Sequence, residues 1–247
     1  MPKALVITPT YNELENIEAI IEAVFSQPTP FHMLIVDDGS PDGTGNVVKR
    51  LQTKYNGSEM RLHLLERQGK QGLGTAYIDG FRFGLKEGYE YFLEMDADFS
   101  HDPKDLSRLL EACTKGSDLS VGSRYVTGVN VVNWPMSRVL MSYCASIYVR
   151  FITGMSIQDT TAGFVCYRRK VLETIPLGRI KFVGYAFQIE MKFTAWKFGF
   201  KLVEVPIIFT DRTKGQSKMS TGIFKEAFLG VLQLKMRSWF RSYKQAA

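Results

Sequence analysis

Four short apolar runs in the first half of the chain each lead into a polar loop and then into a helical pattern of apolar residues. The runs lie at 3–8, 33–36, 62–66 and 88–93, and the helical patterns at about 17–24, 45–55, 75–87 and 103–114. Parallel strands need a crossover connection, which is usually a helix, so this alternation favours a parallel sheet. The sequence therefore predicts an α/β fold with a mainly parallel sheet and helices on both of its faces.

The loops that follow these four runs carry the unusual residues of this half of the chain. They span 9–13, 37–44, 67–74 and 96–102. The carboxyl ends of parallel strands meet at one edge of the sheet, where open α/β sheets bind their ligands. Because unrelated acidic turns would not all gather on one edge, the sequence predicts a binding site formed by these four loops.

Asp96 and Asp98 stand two residues apart at the end of the fourth run. If the strand continues through them, both carboxylates point to the same face, with only the small Ala97 between them. Like charges this close repel unless a cation lies between them, and hard oxygen ligands favour Mg²⁺ or Mn²⁺. The spacing alone fits an acidic turn equally well. For Asp102 the simpler interpretation is preferred, in which it caps the helix that begins at Pro103.

Two further loop segments admit both a structural and a functional interpretation. The segment 69–74 holds three glycines but matches neither the dinucleotide motif G-x-G-x-x-G nor a Walker A motif. It is either a flexible loop or a loop that lets Lys70 and backbone N–H groups approach a phosphate. Asp38 lies in a good turn sequence, but a carboxylate at a strand end can also accept hydrogen bonds from a base or a ribose.

Charge and composition limit the class of partner. A formal net charge of +6 favours an anionic partner, which is a nucleic acid, a phosphorylated substrate or a membrane surface. The 45% hydrophobic and 23% charged content excludes disorder, and the three cysteines, which show no metal-binding spacing, suit a reducing cytosol. No window holds 18 apolar residues and the first residues enter a strand, so we expect neither a membrane span nor a leader peptide.

Six motifs occur in the order seen in family 2 glycosyltransferases. They are TPTYNE at 8–13, VDDGSPDGT at 36–44, GKQGLG at 69–74, MDAD at 95–98, GSRY at 122–125 and DRTKGQSK at 211–218. The likeness covers nearly the whole chain, which more narrowly resembles the dolichol-phosphate (polyprenol-phosphate) mannose synthases. The resemblance implies a GT-A fold with a Rossmann-like sheet. It also implies inverting, Mg²⁺- or Mn²⁺-dependent transfer of mannose from GDP-mannose to a polyprenyl (dolichyl) phosphate.

The resemblance also implies roles for individual residues. Those expected to hold the guanosine are Pro9, Tyr11, Glu13, Val36 and Asp38. Those expected to hold the rest of the donor and its metal are Lys70, Asp96, Ala97 and Asp98. Those expected to contact phosphates, and with Asp98 to form the catalytic set, are Arg124, Arg212 and Lys218. In some relatives a Gln that ligates the metal occupies the position of Ser100, and Ser is a poorer ligand, so Ser100 is a weaker metal candidate.

After residue 126 the alternation of strands and helices stops. The residues that follow include the candidates for binding a lipid phosphate acceptor. A helix begun near Pro135 is rich in aromatic and apolar residues and is either a core helix or one that lies at a membrane surface with Arg138 toward phosphate. Asp159 either positions arginine side chains or the sugar, or caps a turn. Arg124, Arg138 and Asp159 are the candidates for the acceptor phosphate. The basic segment 211–218 is either a solvated loop or a loop that closes over a diphosphate.

The last 27 residues, 221–247, mix aromatic and basic side chains and hold five Lys or Arg residues against a single Glu. Such a segment is either an interfacial helix drawn to anionic lipid or a helix packed on the sheet with a solvated basic face. We divide the chain into a catalytic domain at 1–220, with membrane-facing helices at about 130–157, and this C-terminal amphipathic helix. Since no span is predicted, we expect a peripheral protein on the cytosolic face of a membrane, held by its own helices or by an anchoring partner protein.

The predicted chemistry needs no general base. An acceptor phosphate monoester has a second pKa near 6 and is already an anion at neutral pH, and His32, His63 and His101 have no evident partner in the sequence. Three alternatives stay open. They are transfer from UDP-glucose or another nucleotide sugar, a non-catalytic nucleotide-binding module recruited to membranes, and a nucleic-acid binder. The last is disfavoured because neither stacking platforms nor a helix-turn-helix is evident.

Overall fold

The computed structural model of the chain describes residues 2–184, 186–212 and 221–243, with side chains for all of these except 221–227. The strands are β1 (Ala4–Thr10), β2 (His32–Asp37), β3 (Leu62–Glu66), β4 (Tyr91–Glu94), β5 (Leu119–Ser123), β6 (Val131–Val132), β7 (Val165–Arg168), β8 (Leu202–Pro206) and β9 (Phe209–Thr210). The helices are α1 (Ile17–Phe25), α2 (Thr44–Tyr55), α3 (Leu73–Lys86), α4 (Asp105–Thr114), α5 (Met136–Thr153), α6 (Arg169–Thr174), α7 (Ala186–Lys197) and α8 (Thr221–Trp239), with a 3₁₀ turn at Leu177–Arg179.

The central sheet has seven strands in the order β3-β2-β1-β4-β7-β5-β8. Every neighbouring pair is parallel except those of β7, which runs antiparallel to both β4 and β5. The prediction of a mainly parallel α/β sheet is therefore confirmed. The antiparallel direction of β7 was not predicted, because this strand follows the long segment after β5 in which the strand–helix alternation stops. A second, two-stranded sheet pairs β6 with β9.

The sheet has one apolar core on each face, and successive residues of β1 belong alternately to the two cores. Leu5 and Ile7 pack toward α3 and α7, while Ala4 and Val6 pack toward α1, α2 and α4. Helix α1 buries residues spaced three and four apart, which places them on a single face. Each fully buried Leu or Ile side chain stabilises the fold by about 1.5–3 kcal/mol relative to exposure. The two-sided core explains why β2 is buried along its whole length.

Helix α3 lies unusually close to the sheet because glycines face the strands. A Cβ atom at Gly84 would lie 2.5 Å from the Phe92 ring and 2.8 Å from Leu5. A Cβ at Gly80 would lie 2.6 Å from Ile7. Both distances are below any ordinary contact, so the close packing of α3 on β1 depends on the absence of side chains at these positions.

Three sequence expectations change in detail. Strand β4 ends at Glu94, so Asp96 and Asp98 lie in the following loop, and the strand-alternation argument for their common direction was wrong. Helix α4 begins at Asp105 and its N-cap is Lys104, so Asp102 does not cap the helix directly; it accepts a hydrogen bond from the backbone N–H of Lys104 in the preceding turn, at 3.0 Å. The sequence also predicts a single strand at 201–209, and Pro206 within it favours a sheet edge; the structure divides this segment into β8 and β9, and β8 does form the edge.

Two histidines share one tyrosine hydroxyl at the amino edge of the sheet. Tyr89 Oη lies 2.8 Å from His32 Nδ1 and 2.9 Å from His63 Nε2, so the hydroxyl donates to one ring and accepts from the other. Burial lowers the pKa of both histidines from 6.5, and the positive charge of Lys3, whose Nζ lies 4.5 Å from the Tyr89 ring centre, adds to this. Glu59, 3.4 Å from His32, opposes the shift without cancelling it.

This cluster predicts a loss of stability in mild acid. The unfolded chain protonates its histidines near 6.5, whereas the folded chain holds His32 and His63 neutral to lower pH. Their contribution to stability is therefore complete above pH 6.5 and is lost as the pH falls below it. Denaturant unfolding between about pH 8 and pH 5 should show a steeper fall in the free energy of unfolding for the wild type than for His32→Gln/His63→Gln. Equal slopes for the two proteins would contradict this prediction.

Candidate active site

The loops after β1, β2 and β3 are tied together at the carboxyl edge of the sheet. Thr10 Oγ1 donates to Asp37 Oδ1 at 2.7 Å, and the backbone N–H of Asp38 donates to the Thr10 carbonyl at 2.9 Å. The backbone N–H of Arg67 donates to the Asp37 carbonyl at 2.8 Å, and that of Asn12 donates to Ser40 Oγ at 3.0 Å. The prediction that these loops share one edge of the sheet is confirmed.

Asp38 lies in a buried ion pair that sequence reasoning missed. Arg67 Nε lies 3.3 Å from Asp38 Oδ1, and both side chains are less than a tenth exposed. Burial raises the pKa of Asp38, and the charge of Arg67 offsets only part of that effect. The guanidinium also donates to Thr75 Oγ1 at 2.7 Å, which ties the loop to the start of α3. Arg67 is the first residue after β3, on the predicted edge, and that position was the available signal.

The other candidates for the nucleoside lie around this pair, with one exception. Tyr11, Glu13 and Pro9 are half-buried, and Lys70 Nζ lies 5.6 Å from the Tyr11 ring centre. The side chain of Val36 is fully buried in the core, so only its main chain faces this edge.

The loop after β4 holds two carboxylates with opposite pKa shifts. Burial raises the pKa of Asp96, and the negative charge of the neighbouring Asp98 raises it further. Burial alone would also raise the pKa of Asp98, but hydrogen bonds from Ser100 and the charge of Arg212 outweigh it and lower that pKa. The Ser100 N–H donates to Asp98 at 3.1 Å, and Arg212 Nη2 lies 3.1 Å from Asp98 Oδ2.

Asp96 is positioned by groups on both sides. Its backbone N–H donates to His101 Nδ1 at 3.2 Å, and the Tyr77 hydroxyl lies 3.5 Å from its carboxylate. Burial lowers the pKa of His101 to about 4, so the ring is neutral and its proton lies on Nε2. Ala97 is 4% exposed and packs into the apolar core that contains α1, α2 and α4.

A divalent cation fits this loop by its charge and its donor type. Two carboxylates lie close together in this loop, and the pKa of Asp96 is raised. A cation that prefers hard oxygen ligands would reduce the repulsion between them. Ser100 is buried next to Asp98 and offers one hydroxyl oxygen. Across the described ranges no three His, Cys, Asp or Glu side chains are grouped to hold a metal. Oxygens from a substrate or water would therefore have to complete the coordination.

Arg124 and Asp159 form a fully buried bidentate pair. Arg124 Nε and Nη2 each donate to an Asp159 oxygen at 2.6 Å, and the Arg124 backbone N–H donates to the same carboxylate at 3.0 Å. Glu204 accepts the backbone N–H groups of Gln158 and Asp159 at 2.7 and 2.8 Å and so holds that segment in place. Of the alternatives for Asp159, the structure selects the one in which it positions an arginine.

Two more of the predicted arginines lie at the same edge. Arg138, from α5, pairs with Asp211 at 2.8 Å and lies 4.0 Å above the Trp134 ring, and the Arg124 guanidinium lies 5.5 Å from the same ring. Arg212 follows Asp211 directly and pairs with Asp98. The structure therefore brings Arg124, Arg138 and Arg212 together around Trp134 and the β4 loop. Lys218 lies outside the described residues.

A buried lysine supports this region and was not predicted. Lys192 of α7 is fully buried, and its Nζ donates to the Ala162 carbonyl at 2.5 Å. Burial lowers its pKa to about 8, while burial raises the pKa of the nearby Glu94 to about 8. Helix α7 mixes Gln188, Glu190 and Thr194 with apolar residues and buries all three, so the sequence shows no separate polar face and gives no signal that Lys192 is buried.

An exposed apolar surface adjoins the arginines. One side of α5 carries side chains spaced three and four apart that are at least two-fifths exposed: Met136, Leu140, Tyr143, Ile147 and Phe151. Helix α8 packs beside α5, where the Tyr148 ring stacks on Phe228 with ring centres 4.4 Å apart. Within the described part of the chain, no helix combines the length and apolar character needed to cross a bilayer.

Comparison with known proteins shows what this chain is similar to. The model of the family described as glycosyl transferase family 2 matches residues 5–176. A polyprenol monophosphomannose synthase of Mycolicibacterium smegmatis is 48% identical over 235 residues, covering 95% of this chain and 88% of that protein. An undecaprenyl-phosphate mannosyltransferase of Micrococcus luteus is 44% identical over 229 residues, covering 93% and 92%.

Solved structures show the same GT-A-like fold at low sequence identity. A glucosyl-3-phosphoglycerate synthase from Mycobacterium tuberculosis, in complex with Mn²⁺, UDP and glucosyl-3-phosphoglycerate, gives a TM-score of 0.67 at 14% identity, covering 96% of this chain and 80% of that one. A mannosyltransferase from Pyrobaculum calidifontis, in complex with GDP-mannose and Mn²⁺, gives 0.60 at 18% identity, covering 99% and 66%. Both confirm the predicted fold class.

The buried Arg124–Asp159 pair predicts a large stability effect. Asp159→Asn leaves the guanidinium buried without a counter-charge, which should lower the free energy of unfolding by about 3–5 kcal/mol. The matched control is Glu18→Gln, which breaks the exposed pair with Arg50 and should cost less than about 1 kcal/mol. Urea unfolding of both variants measures the difference. Equal effects would show that the buried pair does not hold this region together.

Proposed function

The chain belongs to glycosyl transferase family 2 and is a glycosyltransferase, and we propose that it transfers mannose from GDP-mannose to the phosphate of a polyprenyl (dolichyl) lipid. The observation that carries the proposal is the arrangement at the sheet edge. A buried acidic pair suited to a donor diphosphate lies beside three arginines, and these adjoin an exposed apolar surface suited to a lipid.

The donor would lie along the loops after β1, β2 and β3. Asp38, held by Arg67, can accept hydrogen bonds from the base or ribose, with Tyr11, Glu13 and Pro9 beside it. The main chain at Val36 would close the floor of this site. Lys70 is exposed above Tyr11 and can reach a phosphate.

Asp96 and Asp98, with Ala97 between them, would hold Mg²⁺ or Mn²⁺ together with the donor diphosphate. When bound, the ion would neutralise negative charge on the leaving diphosphate. Ser100 could contribute its hydroxyl or a water. Arg212 already lies at Asp98 and places a second positive charge at the same point, and Lys218 of the same basic segment would act there too.

The acceptor phosphate would be the nucleophile. One of its oxygens forms a bond to the anomeric carbon from the face opposite the diphosphate, while the bond from that carbon to the diphosphate oxygen breaks and the diphosphate leaves with the electron pair. The configuration at the anomeric carbon inverts. The phosphate is ionised at neutral pH, so no proton has to be removed. The only histidine near the site, His101, is buried, neutral and hydrogen-bonded to the Asp96 backbone, which agrees with a mechanism without a base.

Arg124 and Arg138 would bind the acceptor phosphate. Nε and Nη2 of Arg124 are held by Asp159, and no described residue pairs with its Nη1, which could donate to a phosphate. Asp159 acts here by fixing the guanidinium. The lipid chain would follow the exposed apolar side of α5. The protein would then sit on the cytosolic face of a membrane through α5 and the helix in 221–247, alone or with an anchoring partner protein, while 1–220 forms the catalytic domain.

Asp98→Ala should abolish transfer and leave the fold intact. The change removes the carboxylate that pairs with Arg212, and we expect a loss of at least about a hundredfold in the transfer rate. The matched control is Asp102→Ala, an acidic residue of the same loop that is exposed and accepts a hydrogen bond from the backbone N–H of Lys104 just before α4. Circular dichroism and thermal unfolding check the fold. Transfer at the wild-type rate by Asp98→Ala would exclude the metal assignment.

A donor panel tests the sugar and the metal together. We expect transfer to a short polyprenyl phosphate from GDP-mannose, at a rate that Mn²⁺ or Mg²⁺ restores after chelation. Faster transfer from UDP-glucose would replace the proposed donor and keep the reaction class. Nucleotide binding without transfer from any donor would favour a non-catalytic module, and tight binding to nucleic acid would favour the third alternative.

A further inference from the structure

A second cavity lies between α7, α8 and the segment that leads into α7, and it shares no lining residue with the candidate active site. It measures about 380 Å³, and its floor is formed by Leu234 and Glu190. Four cationic side chains line it: Arg179, Lys181, Arg237 and Arg241. A cavity with this lining attracts an anion.

The positive charge of this cavity is only partly balanced from within, because Glu190 is the single carboxylate among its described lining residues and faces four cations. The carboxylate of Glu190 is 3% exposed and accepts the backbone N–H groups of Lys181 and Phe182 at 2.8 and 3.0 Å. Most arginines of the described chain pair with a carboxylate. Among the described residues, none of the four cations that line the cavity forms such a pair.

Arg241, which lines the cavity, carries a donor whose hydrogen-bonding capacity the described part of the chain leaves unsatisfied. Arg241 Nη2 is buried and has no hydrogen-bond partner among the residues that the structure describes. The Arg241 guanidinium lies 5.4 Å from the Tyr243 ring centre, which helps to fix its position. An unpartnered buried donor is costly, and a phosphate oxygen is the acceptor for which arginine geometry is best suited.

The chain just outside the cavity presents large apolar side chains to the surroundings. Phe240 is 91% exposed, Trp239 is 69% exposed and Met236 is 49% exposed, and they alternate along the chain with Arg237 and Arg241. The opposite side of α8, with Val231 and Leu234, packs into the core. A helix that is anchored on one side and carries exposed aromatic residues beside cations is suited to the boundary between lipid headgroups and acyl chains.

We propose that this cavity binds the phosphate of an anionic phospholipid headgroup, with the acyl chains of that lipid covering Trp239 and Phe240. The inference rests on the proposed membrane-associated function and adds to it a lipid site separate from the acceptor site. A free phosphate offers the same anionic chemistry but would leave the aromatic side chains exposed. Occupancy of the cavity would fix how α8 lies on the membrane and therefore where the candidate active site meets its lipid acceptor.

The test compares two variants that remove the same charge. Arg179→Gln/Arg241→Gln changes the cavity, whereas Lys86→Gln/Lys201→Gln removes two exposed cations elsewhere. Binding of the full chain is measured by co-sedimentation with vesicles of phosphatidylcholine alone and of an equimolar mixture with phosphatidylglycerol. We expect the cavity variant to bind the mixed vesicles roughly 30-fold more weakly than the wild type, the loss that two cations at an anionic surface predict. The control should lose less than about threefold, since its charges lie away from the lipid.

Two further measurements separate the sources of the anion and the two proposals. Monomeric dihexanoyl phosphatidylglycerol should bind the wild type and not the cavity variant, whereas inorganic phosphate should bind more weakly. Equal losses in both variants, or phosphate binding as tight as the short lipid, would overturn the lipid site. Transfer to a soluble short acceptor without vesicles should be the same in the cavity variant and the wild type. Transfer without lipid binding would refute this inference alone, and lipid binding without transfer would refute only the proposed function.

Discussion

Repulsion between two carboxylates at the end of β4 is the electrostatic constraint that the candidate active site has to resolve. Asp98 is stabilised as an anion by Ser100 and Arg212, so its charge and the burial of Asp96 together raise the pKa of Asp96. The loop can hold both carboxylates ionised only when further positive charge arrives. A diphosphate on its own would add to the repulsion, whereas a divalent cation with a diphosphate would relieve it. This is the physical basis for the proposal that the loop holds a donor diphosphate together with a divalent cation.

The cations around this loop are held in place before any substrate arrives. Arg124 is paired with Asp159, Arg138 with Asp211 and Arg212 with Asp98, and each pair joins residues from different elements. A guanidinium that is already fixed loses little conformational entropy when it binds a phosphate, so the site is preorganised. The carboxylates that fix the arginines also lower the net positive charge of the site. Glu204 and Lys192 in turn fix the position of Asp159, because both form hydrogen bonds with the segment that carries it.

The apolar surface beside these arginines lies on α5, and the basic cavity lies near the end of α8. The strand–helix alternation requires neither of these two helices. Helices α5 and α8 pack on each other through Tyr148 and Phe228, and both expose large apolar side chains. An enzyme that joins a water-soluble nucleotide sugar to a lipid phosphate needs one surface for each. In the proposed function, the sheet edge would bind the nucleotide sugar and these helices would lie against the lipid.

The sequence by itself determined the features that depend on local spacing. The alternation of apolar runs and helical patterns predicted parallel strands whose loops share one edge, and the motifs from TPTYNE to MDAD marked that edge, whereas the strand order β3-β2-β1-β4 came from the structure. Only the tertiary structure decided the direction of β7, the placement of Asp96 and Asp98 beyond the strand, and the partners of Asp38, Arg124 and Lys192. The physical reason is range. Periodicity reports which face of an element is buried, whereas a pair such as Arg124–Asp159 depends on how separate elements pack, and no local pattern records that.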